Sequence, residues 1–213
     1  MLEVSGLTAS IGATEIIRDA SLVVAEGQMC GLIGVNGAGK TTLMRALMGA
    51  VAARGRVAFG DTDLLAAPAH RRAALGIGYM PEDRRLVPEF TVAQNIAMPS
   101  WSVEIAHKDK RLQWIYGLLP EIARFETRRA LELSGGQQKL VALGRALMVG
   151  TRLLLLDEPF EGIAPVLAQR LAQVLRDLRS QQVSVLVAES NRTHVEGLLD
   201  RTFFIERGAV RPG

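Results

Sequence analysis

Three short runs of apolar residues punctuate the chain: MCGLI at residues 29–33, LLLL within RLLLLDE at 152–158, and SVLVA at 184–188. They are too short for helices and apolar on both alternating faces, so they predict strands of a mostly parallel sheet covered by helices on both sides. Between the runs the period changes. A glycine-rich turn follows the first run and leads into a helix predicted over residues 40–48. Leu167, Leu171, Val174, Leu175 and Leu178 recur at three- and four-residue spacing. That spacing lays one apolar stripe along a helix over 165–181, the crossover between the second and third runs. The fold class expected is α/β.

The middle of the chain breaks this alternation. From about residue 81 to 133 no strand-like apolar run occurs, prolines stand at Pro81, Pro88, Pro99 and Pro120, and Trp101, Trp114 and Tyr116 gather. The expected organisation is an α/β core from residues 1–80 and 150–213, interrupted by a helical insert over 81–149. A length of 213 residues suits one such domain, and 48% hydrophobic with 22% charged residues excludes wholesale disorder. No apolar stretch reaches membrane-helix length, and the opening MLEVSGLTAS lacks the basic head and apolar centre of a secretion signal, so a cytoplasmic protein is expected. Cys30 is the one cysteine and is expected to be a buried small side chain. His70, His107 and His194 show no metal-ligand spacing. A net charge of +3 does not announce a nucleic-acid partner. The basic clusters at Arg71–Arg72, Arg84–Arg85 and HKDKR (107–111) are expected to be solvated helix faces, with anionic lipid headgroups as the alternative.

Three stretches carry chemistry. GVNGAGKTT at residues 34–42 fits G-x-x-x-x-G-K-[ST] between a predicted strand and helix, the context this phosphate-binding loop needs. Its backbone from Gly34 through Asn36, Gly37, Ala38 and Gly39 to Lys40, Thr41 and Thr42 would turn N–H groups onto phosphate oxygens. The helix dipole adds to that field, Lys40 reaches the terminal phosphates, and the Thr41 hydroxyl is available to Mg2+. LLLLDE then delivers two carboxylates at a strand's carboxyl end: Asp157 for the metal, and Glu158, on the other side of the chain, as base for the attacking water. In LELSGGQQKL, Ser134 is a natural N-cap, Gly135 and Gly136 leave amides uncovered, and Leu140, Leu143, Gly144 and Leu147 bury one face of a helix.

LSGGQ resembles the signature of the ATP-binding-cassette ATPases, and the order of P-loop, helical insert, LSGGQ and apolar run ending in Asp-Glu resembles that family over nearly the whole chain. The resemblance implies a P-loop NTPase core, an N-terminal antiparallel β portion and an α-helical insert bearing the signature. It implies ATP and Mg2+ as cofactors and head-to-tail pairing of two cassettes, in which Ser134, Gly135, Gly136 and Gln137 serve a nucleotide held by the partner's P-loop. PEDRRLVPEFTVAQNI (81–96), DEPFEGIAP (157–165) and the short length are similar to cassettes of branched-chain amino acid importers. Those subunits work, often as non-identical pairs, on the cytoplasmic face beneath transmembrane permeases fed by a solute-binding protein.

Four positions depart from the family pattern. Ile11 stands where a ring usually stacks on adenine, a loss worth ~1–3 kcal/mol. Glu82 replaces the glutamine that couples nucleotide to permease, Ser190 replaces the switch histidine, and Ala164 replaces an aspartate that commonly crosses to the partner. The expectation is an ATP-hydrolysing importer subunit whose own site turns over slowly. Two alternatives remain: a regulatory cassette with little turnover, and a soluble cassette acting away from membranes.

Overall fold

The computed structural model describes residues 1–105 and 107–213. The chain opens with strands β1 (Leu2–Ile11) and β2 (Thr14–Val24), a hairpin, followed by β3 (Met29–Ile33) and helix α1 (Lys40–Leu47). Strands β4 (Ala52–Phe59) and β5 (Thr62–Asp63), the short helix α2 (Arg71–Ala74) and strand β6 (Ile77–Met80) come next. Among the described residues four α-helices then follow without an intervening strand: α3 (Val92–Ala97), α4 (Lys108–Leu118), α5 (Pro120–Ala123) and α6 (Gly135–Val149). The chain closes through β7 (Leu153–Asp157), α7 (Pro165–Ser180), β8 (Ser184–Glu189), β9 (Arg201–Glu206) and β10 (Ala209–Pro212).

The strands form two sheets. One is antiparallel, in the order β2-β1-β4-β5, and the other runs β10-β9-β3-β8-β7-β6. Within the second, β9, β3, β8, β7 and β6 are parallel and β10 is an antiparallel edge. The three apolar runs of the sequence are β3, β7 and β8, with every residue buried. Their alternation divides two cores: Leu154, Leu156, Val185 and Val187 pack toward α6 and α7. Leu153, Leu155, Leu186 and Ala188 pack toward α1 and the antiparallel sheet. A strand apolar on both faces therefore reports burial between two layers.

Helix α1 lies between the sheets with six of its eight residues buried, which fixes the direction of its N-terminus. β3 precedes α1 and sits inside the sheet, with β8 on one side and β9 on the other. Chain connections diverge there, so the carboxyl ends of β3, β7 and β8 face one crevice.

Cys30 is fully buried, and burial pushes its thiol up to about 11, with smaller opposing effects of Arg201 and Asp200. A thiol reagent is therefore expected to leave the folded chain unmodified and to react stoichiometrically once it unfolds. Rapid labelling under native conditions, measured by intact mass, would contradict this packing.

Two basic clusters depart from the solvated face expected of them. Arg72 is 1% exposed, and its guanidinium donates to the carbonyls of Leu47, Leu64, Ala67 and Pro68. Arg111 is half-buried and donates to Leu147 and Gly150 carbonyls at the carboxyl end of α6, with its guanidinium 4.1 Å from the Trp114 ring centre. Both act as internal caps for backbone oxygens. Arg84 is half-buried and Arg85 exposed, and both take left-handed backbone conformations.

Candidate functional site

The loop from Gly34 to Gly39 leaves β3 and turns into α1 under tight backbone constraints. At Gly34 a Cβ would lie 2.3 Å from the Ile205 carbonyl oxygen, and Gly39 takes φ +112° at the helix N-cap. Only glycine suits both demands. The loop borders a groove of about 420 Å³ lined by Asn36, Gly37, Gly39, Lys40, Thr41 and Thr42, with Ile16, Glu82 and Glu158 closing it. Ala38 and Thr42 are buried at the loop's base. A larger cavity of about 610 Å³ lies between Phe59, Arg152 and Arg179 at the amino ends of β7 and β8. It contains no P-loop residue, so chemistry rather than volume locates the site.

Lys40 and Glu158 meet in the groove with Nζ and Oε1 2.9 Å apart, both side chains 4% exposed. Lys40 also donates to the Gly34 and Val35 carbonyls, the latter at 3.0 Å. Its neighbour Thr41 turns the other way, its hydroxyl 3.2 Å from Asp157 Oδ1 and 3.5 Å from Glu82 Oε2. Asp157 and Glu158 thus diverge as the sequence requires: one toward Thr41, the other toward Lys40. Burial pushes the Asp157 carboxyl up to about 6, against hydrogen bonds from Thr41 and from the Tyr79 hydroxyl at 3.2 Å. The convergence of two carboxylates and a hydroxyl offers hard oxygen donors of the kind Mg2+ takes in combination with substrate phosphates. Among the described residues no group of three or more His, Cys, Asp and Glu side chains forms an all-protein metal cage.

Glu158 sits at φ +50°, in the left-handed region. A non-glycine residue there costs of order 1 kcal/mol and persists only where surroundings impose it. They do so here: the Glu158 N–H donates to the Ala188 carbonyl at 3.0 Å, and Lys139 Nζ donates to the Glu158 carbonyl at 2.7 Å. Ser190 sits beside the carboxylate, its N–H 3.2 Å from Oε2 and its hydroxyl 2.8 Å from Oε1. The same hydroxyl lies 2.6 Å from Asn36 Oδ1. Its single hydrogen can serve one acceptor at a time, so Ser190 spans the P-loop and Glu158.

Ser134 is the N-cap of α6, accepting from the Gln137 N–H at 3.3 Å while Gln137 Oε1 accepts from the Ser134 N–H at 2.9 Å. This reciprocal pair orders the helix start. Ser134 and Gly135 are exposed, Gly136 and Gln137 half-buried, and none of the four lines the groove. Ile11 stands 49% exposed at the end of β1, also outside the groove lining. Ile16 supplies the apolar wall instead. Ala164 caps α7 without a side-chain hydrogen bond.

The model for the ABC transporter family matches residues 17–161. The chain belongs to the ABC transporter family. BraG, a high-affinity branched-chain amino acid transport ATP-binding protein of Pseudomonas aeruginosa, is 33% identical over 99% of this chain and 91% of its own length. LptB, a lipopolysaccharide export ATP-binding protein of Acidithiobacillus ferridurans, is 32% identical over 99% and 88% respectively. The fold matches the ADP conformation of MJ1267, an ATP-binding cassette of an ABC transporter, with a TM-score of 0.84 and 26% identity over 99% of this chain and 89% of that one. This protein is accordingly an ABC ATPase, the ATP-binding subunit of a transporter, built on the P-loop NTPase fold.

Around this ABC site the structure adds side chains that motif reading missed. Tyr79 bonds Asp157. Lys139 holds the Glu158 and Glu161 carbonyls, and Arg145 holds those of Arg84 and Arg85, next to Glu82. Lys139 and Arg145 lie on the buried face of α6, and cations within an apolar stripe were the available signal. Glu189 ends β8 as Asp157 ends β7, a carboxylate closing a buried strand.

Proposed function

We propose that the chain hydrolyses ATP with Glu158 as base to drive an importer of branched-chain or other hydrophobic amino acids, or related small solutes. The observation that supports hydrolysis is the buried meeting of Glu158 with the P-loop lysine, beside Thr41 and Asp157. Lys40 and the loop amides hold the phosphates. Glu158 takes a proton from water as its oxygen bonds to the γ-phosphorus, and the bond to the bridging oxygen breaks, leaving ADP with the electron pair. Mg2+, held by Thr41 and Asp157, would neutralise charge on the β- and γ-phosphates.

The cradle at Ser134, Gly135, Gly136 and Gln137 lies outside the chain's own groove, which supports a second cassette, identical or not, whose nucleotide it would serve. No helix among the described residues is long and apolar enough to cross a membrane. In this reading the transport path belongs to transmembrane permeases, contacted through the insert near residues 81–99, with the cassette on the cytoplasmic membrane face and a solute-binding protein acting indirectly. Nucleic acid has no part in this reading.

Likeness to BraG supports import, and the near-equal likeness to LptB supports a second reading, export of a lipid. Reconstitution with each class of permease separates them. Phosphate release stimulated by amino-acid permeases, with solute taken up, is the expected result; stimulation by a lipid-exporting permease alone would overturn the import reading.

A further inference from the structure

Of the groups that hold the Glu158 side chain, two have other duties. Lys40 is the P-loop lysine, and the Ser190 hydroxyl occupies the switch position between Asn36 and Glu158. When these turn to phosphate, two partners remain: the Ser190 N–H and the carboxyl of Glu189.

Glu189 is 5% exposed at the end of β8. Its Oε1 accepts the Phe160 N–H at 2.9 Å, and its two chain neighbours both bind Glu158, Ala188 through a carbonyl that accepts the Glu158 N–H at 3.0 Å and Ser190 through an N–H given to the Glu158 carboxylate at 3.2 Å, so the two carboxyl groups are neighbours. Lys139 approaches from α6, itself engaged by the Glu158 and Glu161 carbonyls. Glu189 therefore joins the backbone just after the base to the base's own carboxylate. Burial first, and then neighbouring Glu158, push the Glu189 carboxyl well above the usual carboxylate range, against the Phe160 N–H and Lys139. Protonated, it can donate to Glu158 while still accepting from Phe160.

We propose that Glu189 is a positioning residue for hydrolysis: its carboxyl group, anchored on the Phe160 N–H, holds the Glu158 carboxylate aligned on the attacking water while Lys40 and Ser190 serve phosphate. The inference rests on the reading of Glu158 as base. Glutamine at 189 reproduces both bonds, the amide oxygen accepting and the amide nitrogen donating. Aspartate keeps the acid but withdraws it by one methylene.

The test measures phosphate release, nucleotide affinity and thermal midpoint for the full chain, Glu189→Gln and Glu189→Asp, with Glu158→Gln alongside, under conditions where the parent turns over. Glu189→Gln is expected to keep kcat within about twofold, while Glu189→Asp loses about 10- to 100-fold with nucleotide affinity unchanged, as for a reacting group displaced by ~1 Å. Equal kcat for the two Glu189 variants, whether both high or both low, overturns the proposal. If Glu158→Gln keeps turnover, the base assignment fails. If Glu158→Gln abolishes turnover and Glu189→Asp does not lower it, only the positioning role fails.

Discussion

Glu158→Gln is expected to lower steady-state phosphate release by about 10²- to 10⁴-fold, the range associated with removing a positioned proton acceptor. The change is nearly isosteric. The amide oxygen can keep the bond from the Ser190 N–H now made to Oε2, and the amide nitrogen, in place of Oε1, can donate to the Ser190 hydroxyl, so the groove keeps its shape. What disappears is the negative charge, and with it the buried ion pair to Lys40 at 2.9 Å. That pair competes with phosphate for the lysine, because Lys40 cannot face Glu158 and a γ-phosphate equally. Removing the competitor should tighten ATP binding while abolishing its consumption, a split that mere damage to the site would not give. Titration of a fluorescent ATP analogue and a phosphate-release assay, run on the same preparation, read the two quantities. Retention of more than about a tenth of parental turnover would remove Glu158 from the role of base.

The variant also separates two accounts of a mixed complex. Ser190 offers a short hydroxyl where a longer cationic or neutral ring would reach the phosphate, so the site on this chain's P-loop is expected to turn over slowly. Placed in a complex with a non-identical cassette, Glu158→Gln should then remove only the smaller share of activity. Complete loss would mean that this site carries the cycle despite Ser190.

What the sequence disclosed follows from what side-chain patterns encode. β3, β7 and β8 were legible because a strand covered on both faces must be apolar throughout, and the P-loop because glycines at Gly34 and Gly39 answer a backbone demand no other residue meets. The cap at Ser134 was legible because a serine three residues before a glutamine has a local hydrogen-bonding purpose. The antiparallel sheet was harder to place residue by residue: β1 pairs β2 with three register shifts, which blur the period of two. The left-handed turn at Glu158 was invisible, since it is imposed by the Ala188 carbonyl and Lys139, far away in sequence. Ile16, on β2 across the hairpin turn from Ile11, walls the groove, a placement that the return of the chain and not the position in sequence sets. Glu189 and Arg72 were missed for one reason: a charged residue type reads as solvated until the fold supplies its partners.

Arg72 shows how much stability such a partner set can hold, and Arg72→Met is expected to cost about 3–5 kcal/mol, the scale for removing one member of a buried charged group. Its guanidinium donates to four carbonyls, those of Leu47, Leu64, Ala67 and Pro68, in a space where it is 1% exposed. Burial lowers its pKa, yet a guanidinium stays charged at any working pH. Methionine fills the volume but takes the donor from the Leu47, Leu64 and Ala67 oxygens, while Pro68 keeps the Arg71 N–H; an unpaired buried oxygen costs about 1–3 kcal/mol where water cannot enter. Arg72→Lys restores the charge without the planar fork, so it should recover part of the loss and not all of it. For a chain of this length the methionine variant should melt ~10 °C lower. One of the four oxygens closes the last turn of α1, whose first residue is Lys40. Even so, the turn of the P-loop is fixed independently by Gly34 against Ile205 and by α1 packing between both sheets. Arg72→Met should therefore keep parental kcat wherever it is folded, and ATP at ~100 times its dissociation constant should add about 2.7 kcal/mol of stability to variant and parent alike by mass action. A fall in kcat at temperatures well below the variant's melting point would show instead that the Arg72 cage transmits to Lys40 through α1.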